Sequence, residues 1–362
     1  MHIHVTYAGG TIGMVHSPRG LRPGADLAGW LADLLTRHPT SDDAVPPASP
    51  SASLTTSLTT LQPLIDSADA APHTWQAIVD DVHAHASRAD AFVVLHGTDT
   101  LAYTAAALSY ALTELDQPVV ITGSQLPLGA RSSDAPGNVT GALQAIVQGA
   151  PPGVHVFFAD RLLAGNRATK VSSWSFQGFD SPNAAPLAIA GAPWHWSPAS
   201  RTSGQGQGWP TPQPLTSHDI VVVDLVPGLT PARLDALLTP RPVAAILRAF
   251  GVGNVPGGEA GLATVVADAV AAGVAVVIAS QCAQGEVRLG QYAAGDAVAR
   301  AGAVGSADMT LEATYAKLQF LASQGLRGAE LGAWMGRNLA GELTPSSRAP
   351  SPLVSDAGRQ AD

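Results

Sequence analysis

The sequence predicts an α/β protein made of two sheet-and-helix units, and three observations carry that expectation. Short β-branched runs alternate with longer Ala/Leu-rich stretches of helical spacing, the pattern of a parallel sheet with helices on its faces. With 46% hydrophobic and 13% charged residues over a length of 362, the chain can fill one large or two medium cores. Midway, at 196–218, Ser, Gly, Pro and Gln take over and apolar periodicity disappears, which divides the alternation into two units.

Taken in order, His2-Ile3-His4-Val5-Thr6-Tyr7 alternates like a strand, so 2–7 opens the sheet. Helical spacing follows at 25–37, then a Ser/Pro/Thr stretch at 39–57 reads as a loose loop that runs into a strand at 54–61. Asp66-Ser67-Ala68-Asp69 supplies turn and cap residues before a helix at 73–88. The apolar run Phe92-Val93-Val94-Leu95 marks a strand at 91–96, followed by a helix at 100–114. A strand at 118–123, a helix at 134–148 with Asp134 and Asn138 near its start, and a strand at 154–158 complete the first unit, 1–195. The 196–218 stretch is expected to be a linker. The second unit, 219–342, carries strands at 220–226, 243–249 and 274–279 and helices near 231–239, 259–272, 310–323 and 328–339. The tail, 343–362, is expected to be disordered.

Composition excludes several function classes. The net charge of -9 is spread thinly and no Lys/Arg stripe appears, so no nucleic-acid partner is expected. Runs such as Val274-Ala275-Val276-Val277-Ile278 fall far short of the roughly 20 apolar residues of a membrane span. A strand at the very start leaves no room for a signal peptide, and one cysteine, Cys282, fits a reducing compartment, so a cytoplasmic location is expected. No His-Glu-x-x-His, Cys-x-x-Cys or Gly-x-Ser-x-Gly pattern occurs, which leaves no expected metal ligands and no serine elbow.

The chemistry-bearing residues sit at strand ends. Ala8-Gly9-Gly10-Thr11-Ile12-Gly13 follows the first strand, where glycines let backbone amides approach a ligand. It lacks the glycines of a dinucleotide fingerprint and the Gly-Lys-Ser/Thr of a P-loop, so the distinctive group is the Thr11 hydroxyl. His96-Gly97-Thr98-Asp99-Thr100 closes a second strand. Its polar side chains read either as helix caps or as a carboxylate between two hydroxyls that holds an ammonium group and orients water. Lys170 stands out because the chain has only two lysines, Lys170 and Lys317, and an amine can relay protons where a guanidinium cannot. His96 reads as a satisfied structural histidine and Cys282 as a small buried hydrophobe.

These segments together resemble the asparaginase family. Gly9-Gly10-Thr11-Ile12-Gly13 and His96-Gly97-Thr98-Asp99-Thr100 are similar to its two threonine motifs. The likeness continues through Val120 to Gln125, Arg161 to Lys170, Leu247-Arg248 to Asn254 and Gly305 to Thr314. Tyr7 to Met14 looks like the cytoplasmic type I branch. The resemblance implies a larger, mostly parallel-sheet N-terminal domain with helices on both faces and a smaller C-terminal α/β domain. It implies hydrolysis of L-asparagine, with Thr11 as nucleophile, Thr98 and Lys170 moving protons, Asp99 on the substrate ammonium and Ser67 on its carboxylate. It further implies a homodimer or homotetramer, no cofactor, and an effector site formed by Thr169, Arg248, Asn254 and Cys282. One position departs from the family: counting from Thr11 places Leu21 where relatives carry a tyrosine. That departure motivates an alternative, a weakened asparagine-binding regulatory protein. A further alternative is the asparaginase-like subunit of a tRNA-dependent amidotransferase.

Overall fold

The computed structural model describes residues 1–18, 20–23, 26–37, 54–198, 205–256 and 261–344. Within these, the chain builds a larger, mostly parallel sheet covered on both faces by helices, and a smaller, wholly parallel sheet.

The first unit begins with β1 (His2–Gly9), an antiparallel hairpin of β2 (Met14–Ser17) and β3 (Gly20–Pro23), and α1 (Leu27–Arg37). It continues through β4 (Thr55–Ile65), α2 (Pro72–His85), β5 (Ala91–Leu95), α3 (Leu101–Ala111), β6 (Pro118–Thr122), α4 (Ala135–Val147) and β7 (Gly153–Phe158). Then come β8 (Arg161–Ala164), the short pair β9 (Thr169–Lys170) and β10 (Phe179–Asp180), and β11 (Ala188–Ile189) with β12 (His195–Trp196). The sheet order is β12-β11-β8-β7-β6-β5-β1-β4. The run from β4 to β7 is parallel, and β8, β11 and β12 join antiparallel.

The alternation of β1 decides its two faces. Ile3, Val5 and Tyr7 pack with Leu27, Leu31 and Leu34 of α1 and with Val139, Leu143 and Ile146 of α4. Phe92, Val94 and Ile121 of the neighbouring strands face Trp75, Ile78 and Val82 of α2 and Leu101 and Leu108 of α3. On that second face β1 presents His4 and Thr6 instead of apolar side chains, both buried.

The second unit holds β13 (Ile220–Asp224), α5 (Pro231–Leu237), β14 (Ala244–Ala249), α6 (Leu262–Ala271), β15 (Ala275–Ser280), α7 (Ala293–Arg300), β16 (Val304–Gly305), α8 (Leu311–Ser323) and α9 (Gly328–Met335). Its four strands are parallel in the order β13-β14-β15-β16. The helix α8 is buried nearly all round, polar residues included, because it is shared: Ala313, Ala316, Phe320 and Leu321 lie in one core with Leu101 and Leu108 of α3 and with Ile246 and Val277 of the second sheet. Residues 205–218 run against this same core, with Leu215 buried and Trp209 packed on Phe320 and Trp334.

Strand β4 runs from Thr55 to Ile65, so residues 55–57 belong to the sheet and not to the loose loop expected over 39–57. The rest of that loop up to 53, and the tail from 345, lie outside the described residues. Helix α7 and the hairpin β2–β3 were not expected from sequence.

Candidate active site

The position of the site follows from strand order. β1 lies between β4 and β5, so the chain leaves β1 to one side, returns across it, and opens a crevice at the carboxyl ends of these three strands. Thr11 follows β1, Ser67 follows β4, and Thr98 and Asp99 follow β5. The three turns are held together by backbone contact. Gly10 has φ +95°, and a Cβ there would stand 2.2 Å from the Gly97 Cα; a Cβ on Gly97 would stand 2.4 Å from the Ser67 Oγ. Only glycine allows either approach. Thr11 and Thr98 are therefore the immediate neighbours of two touching glycines.

Hydrogen bonds complete the arrangement. Thr100 donates its hydroxyl to the Ser67 carbonyl at 2.6 Å, and the Asp99 amide donates to Ser67 Oγ at 3.3 Å. Thr100 is the residue before α3 but makes no side-chain cap, so these polar groups hold the crevice and do not cap the helix. Lys170 reaches in from β9 and donates to Thr98 Oγ1 at 2.9 Å and to Asp99 Oδ1 at 2.7 Å. The Asp99 side chain is 60% exposed, so the ion pair contributes little stability and its carboxylate is open to a ligand. His96 is buried, bonded to the Gly97 carbonyl and to Thr104 Oγ1, and burial pushes its pKa down, which fits the structural role expected of it.

The neighbouring turn Gly123–Leu126 is tied from α4. Asp134 accepts from the amides of Gln125 and Leu126, and Asn138 donates to the Gly123 carbonyl. Gln125 Oε1 is 3.5 Å from Thr98 Oγ1, and its Nε2 donates to the carbonyls of Ser172 and Ser175, just beyond Lys170. Beneath the Thr11 turn, the Tyr7 hydroxyl is buried against Gly13 without a hydrogen-bond partner, and burial pushes its pKa up to about 12.

The turn that leads to Lys170 is gripped from the other end of the chain. Asn166 donates to the Ala340 carbonyl at 2.8 Å; Arg167 bonds the Glu342 carbonyl and pairs with Asp308 at 2.5 Å. The 335–342 segment wraps the other lysine. Lys317, fully buried, donates to the carbonyls of Met335 and Arg337 and pairs with Glu342 at 2.6 Å, while Glu342 accepts from the amides of Leu339 and Ala340.

A separate cavity of about 190 Å³ is lined by Thr169, Arg248, Cys282, Glu312 and neighbours from the second unit. Thr169 donates to Glu312 Oε1 at 2.6 Å, and burial raises the Glu312 pKa. Arg248 pairs with Asp224 at 2.9 Å and keeps its Nε buried without a partner. Asn254 exchanges backbone hydrogen bonds with Phe250 and is not among the lining residues. Cys282 is exposed, which corrects the expectation of a buried hydrophobe: it lies in the turn past β15, not on the strand.

An asparaginase N-terminal family model matches residues 2–200, and a glutaminase/asparaginase C-terminal domain model matches residues 219–335. The chain belongs to the asparaginase family. L-asparaginase 1 of Escherichia coli (strain K12) is 41% identical to it over 344 residues, covering 95% of this chain and 98% of that protein. The crystal structure of L-asparaginase I from Vibrio cholerae O1 biovar eltor str. N16961 superposes with a TM-score of 0.80 at 36% identity, over 95% of this chain and 99% of that one. The thermostable L-asparaginase from Thermococcus kodakarensis gives 0.79 at 30% identity, over 96% and 100%.

In this asparaginase-family chain the structure brings Ser67, Thr98, Asp99 and Lys170 into one hydrogen-bonded set, with Thr11 on the adjoining turn. Backbone pairing puts Leu21 opposite His16 in the hairpin, and its side chain lies outside what is described. Sequence reasoning missed the supporting roles of Gln125, Asn166 and Arg167. Their signal was present in the matching segments around them, but the contacts that define those roles are tertiary.

Proposed function

We propose that this chain is an asparaginase that hydrolyses L-asparagine to L-aspartate and ammonia through an ester on Thr11. The observation that carries the reading is Lys170 Nζ held between Thr98 Oγ1 and Asp99 Oδ1, beside a turn that presents a second threonine. The two family models and the 41% identity to an L-asparaginase support the substrate.

In this mechanism the exposed Asp99 carboxylate takes the substrate α-ammonium, and Ser67 receives the α-carboxylate. Thr11 Oγ1 adds to the side-chain amide carbon as its proton passes into the Thr98–Lys170 pair. Backbone amides of the glycine turn and of Thr98 stabilise the oxyanion, a role that fixed donors perform best where water is excluded. The tetrahedral species collapses with cleavage of the C–N bond; ammonia leaves with a proton delivered through Thr98 and Lys170. Water, oriented by the same pair, then cleaves the ester and frees aspartate and Thr11. Ammonia release from asparagine and glutamine over a concentration series, with mass spectrometry of the quenched enzyme, tests this. An aspartyl adduct on the Thr11 peptide is expected; turnover in Thr11→Ala at the wild-type rate overturns it. The same assay decides against the purely regulatory alternative, and added tRNA without effect decides against the amidotransferase one.

The reading extends to regulation. The cavity at Thr169, Arg248 and Cys282 takes a second asparagine, whose carboxylate replaces Asp224 on the planar Arg248 fork. Thr169 precedes Lys170 on β9, which gives that occupancy a short route to the reacting groups. Velocity is then sigmoidal in asparagine and Arg248→Ala alters the curve; a hyperbolic curve over a wide range removes the effector site. Among the described residues no helix is long and apolar enough to cross a membrane. A cytoplasmic homodimer or homotetramer needing no cofactor completes the proposal, and sedimentation of the purified chain reads its assembly.

A further inference from the structure

At the amino end of β1, opposite the reacting end, four potential metal-binding side chains converge through two elementary periodicities. His2 and His4 alternate onto the same face of the strand, and Asp81 and His85 are one turn apart on the helix α2 that covers it. His4 Nε2 lies 3.0 Å from Asp81 Oδ2, and His85 Nδ1 lies 3.3 Å from Asp81 Oδ1. One donor atom from each of His4, Asp81 and His85 falls within 4.8 Å of the others. We propose that these three residues bind a divalent cation of the zinc type, with a structural and not a catalytic role.

The supporting contacts are those a metal site needs. Ser57 Oγ is 2.7 Å from His4 Nδ1, which fixes the ring with its other nitrogen toward Asp81. Thr6 donates to Asp81 Oδ2 at 2.5 Å and fixes the carboxylate with Oδ1 toward His85. An entry path exists: a cavity of about 200 Å³, lined by His2, Ser57, His85, Arg88 and Ala89, adjoins the cluster and leaves room for coordinated water. His2 stands on its rim with both ring nitrogens engaged by Thr55 and Ser57 at 3.0 Å each, so the remaining coordination position falls to water. Two imidazoles and one carboxylate suit zinc, cobalt or nickel; calcium and magnesium need more oxygen ligands than the cluster offers.

One rearrangement accompanies binding. The His4 and His85 rings are stacked, 3.7 Å apart and 11° from parallel. A cation must lie near the plane of each ring it binds, so two stacked rings cannot both point at one ion. His85 gives way: its side chain is 26% exposed, it ends α2, and turning it gives up the hydrogen bond to the Asp81 carbonyl, the present 3.3 Å contact with Asp81 Oδ1 and the stacking on His4. The cost of that rotation sets the expected affinity in the micromolar range, weaker than a preformed structural zinc site. Searches for His-Glu-x-x-His or Cys-x-x-Cys pass over this cluster because its halves, His-x-His and Asp-x-x-x-His, lie on separate elements.

The test uses the full chain without added histidines, stripped with chelator and then titrated calorimetrically with Zn²⁺, with Co²⁺ and, as control, with Mg²⁺. One equivalent of Zn²⁺ and of Co²⁺ should bind with micromolar affinity and raise the unfolding temperature, Co²⁺ should develop visible absorption from nitrogen ligation, and Mg²⁺ should do neither. His85→Ala, a change at the exposed member that spares the His4–Asp81 pair, should weaken binding at least tenfold. His4→Gln with Asp81→Asn provides the second variant and should abolish it, with circular dichroism confirming that it is folded. Absence of saturable binding below 100 micromolar (roughly the limit of a specific site of this kind), or equal binding by His85→Ala, overturns the proposal. So does a stoichiometry well above one that His85→Ala leaves unchanged, which marks scattered binding to the other histidines.

Discussion

The two ends of β1 are built by opposite means. At its carboxyl end the chain removes side chains: Gly9 and Gly10 bring backbone against backbone, and the groups proposed to react sit on what remains. At its amino end it loads polar side chains, His2, His4 and Thr6, onto a helix whose last turn offers His83 and His85. The difference follows from the direction of a parallel sheet. Carboxyl ends feed into helix N-termini, where unpaired amides face a ligand, whereas amino ends receive helix C-termini, where carbonyls favour cationic partners. Substitutions at the first end should therefore be read in turnover and those in the amino half of the sheet in stability.

The sharpest break is Thr11→Ala. It should lower turnover by about 10⁴-fold or more while leaving asparagine binding close to wild type, since the lost group acts in the transition state; equilibrium binding of labelled asparagine and steady-state rates separate the two. Next come Thr98→Ala and Lys170→Met, each expected to lose roughly 10²–10⁴-fold in kcat. A loss confined to KM in either variant would reassign the pair to ground-state binding.

Gly10→Ala probes the backbone contact itself. Strain at φ +95° plus the 2.2 Å approach to Gly97 should cost about 2–4 kcal/mol of stability and most of the activity together. Denaturant unfolding alongside kinetics checks this; an active, stable Gly10→Ala would mean that the two turns separate freely.

The amino half of the sheet offers the contrasting measurement. His155, on β7, is fully buried with Nδ1 unpartnered, and burial pushes its pKa from 6.5 down to about 4. Below pH 6.5 the unfolded chain takes a proton that the folded chain refuses, so this residue's contribution is present above that pH and is lost as pH falls toward 4. The loss amounts to about 3 kcal/mol when complete. His155→Leu should flatten the unfolding free energy between pH 6.5 and 4, and an unchanged slope would exclude this residue as its source.

The smallest expected effect belongs to Leu21→Tyr. A hydroxyl returned to the hairpin after Thr11 should raise the single-turnover rate of acylation about tenfold and change asparagine affinity less, because it acts chiefly in the transition state. An unchanged or lower rate would show that the position is not equivalent to the family tyrosine.

Much of the fold was legible because parallel strands buried on both faces read as compact β-branched runs. The strands β1, β5, β6, β7, β14 and β15 fall within a residue or two of where those runs stand. Strands of two residues, such as β9 and β10, are too short to show alternation, and α7 is a short Ala-rich helix with only Val298 as a larger apolar residue to mark a face. Thr11, Thr98 and Lys170 were legible as a strand-end pair and a rare lysine. What the sequence could not reveal was who touches whom. Asp134 and Asn138 looked like helix-opening residues, yet their side chains reach away from α4 to hold the Gln125 turn. Glycine pairs such as Gly10 and Gly97, 87 positions apart in the numbering, carry no local sign of meeting.

The grip of residues 338–344 on Asn166 and Arg167 also bears on how the protein is made. A ribosome releases these residues after every other described part of the chain, so the large sheet can emerge and collapse with its lysine turn still missing the Ala340 and Glu342 carbonyls. On that order of emergence the nascent chain is compact but unfinished, and the turn before Lys170 gains its last hydrogen bonds only when the final segment docks and Glu342 closes on Lys317.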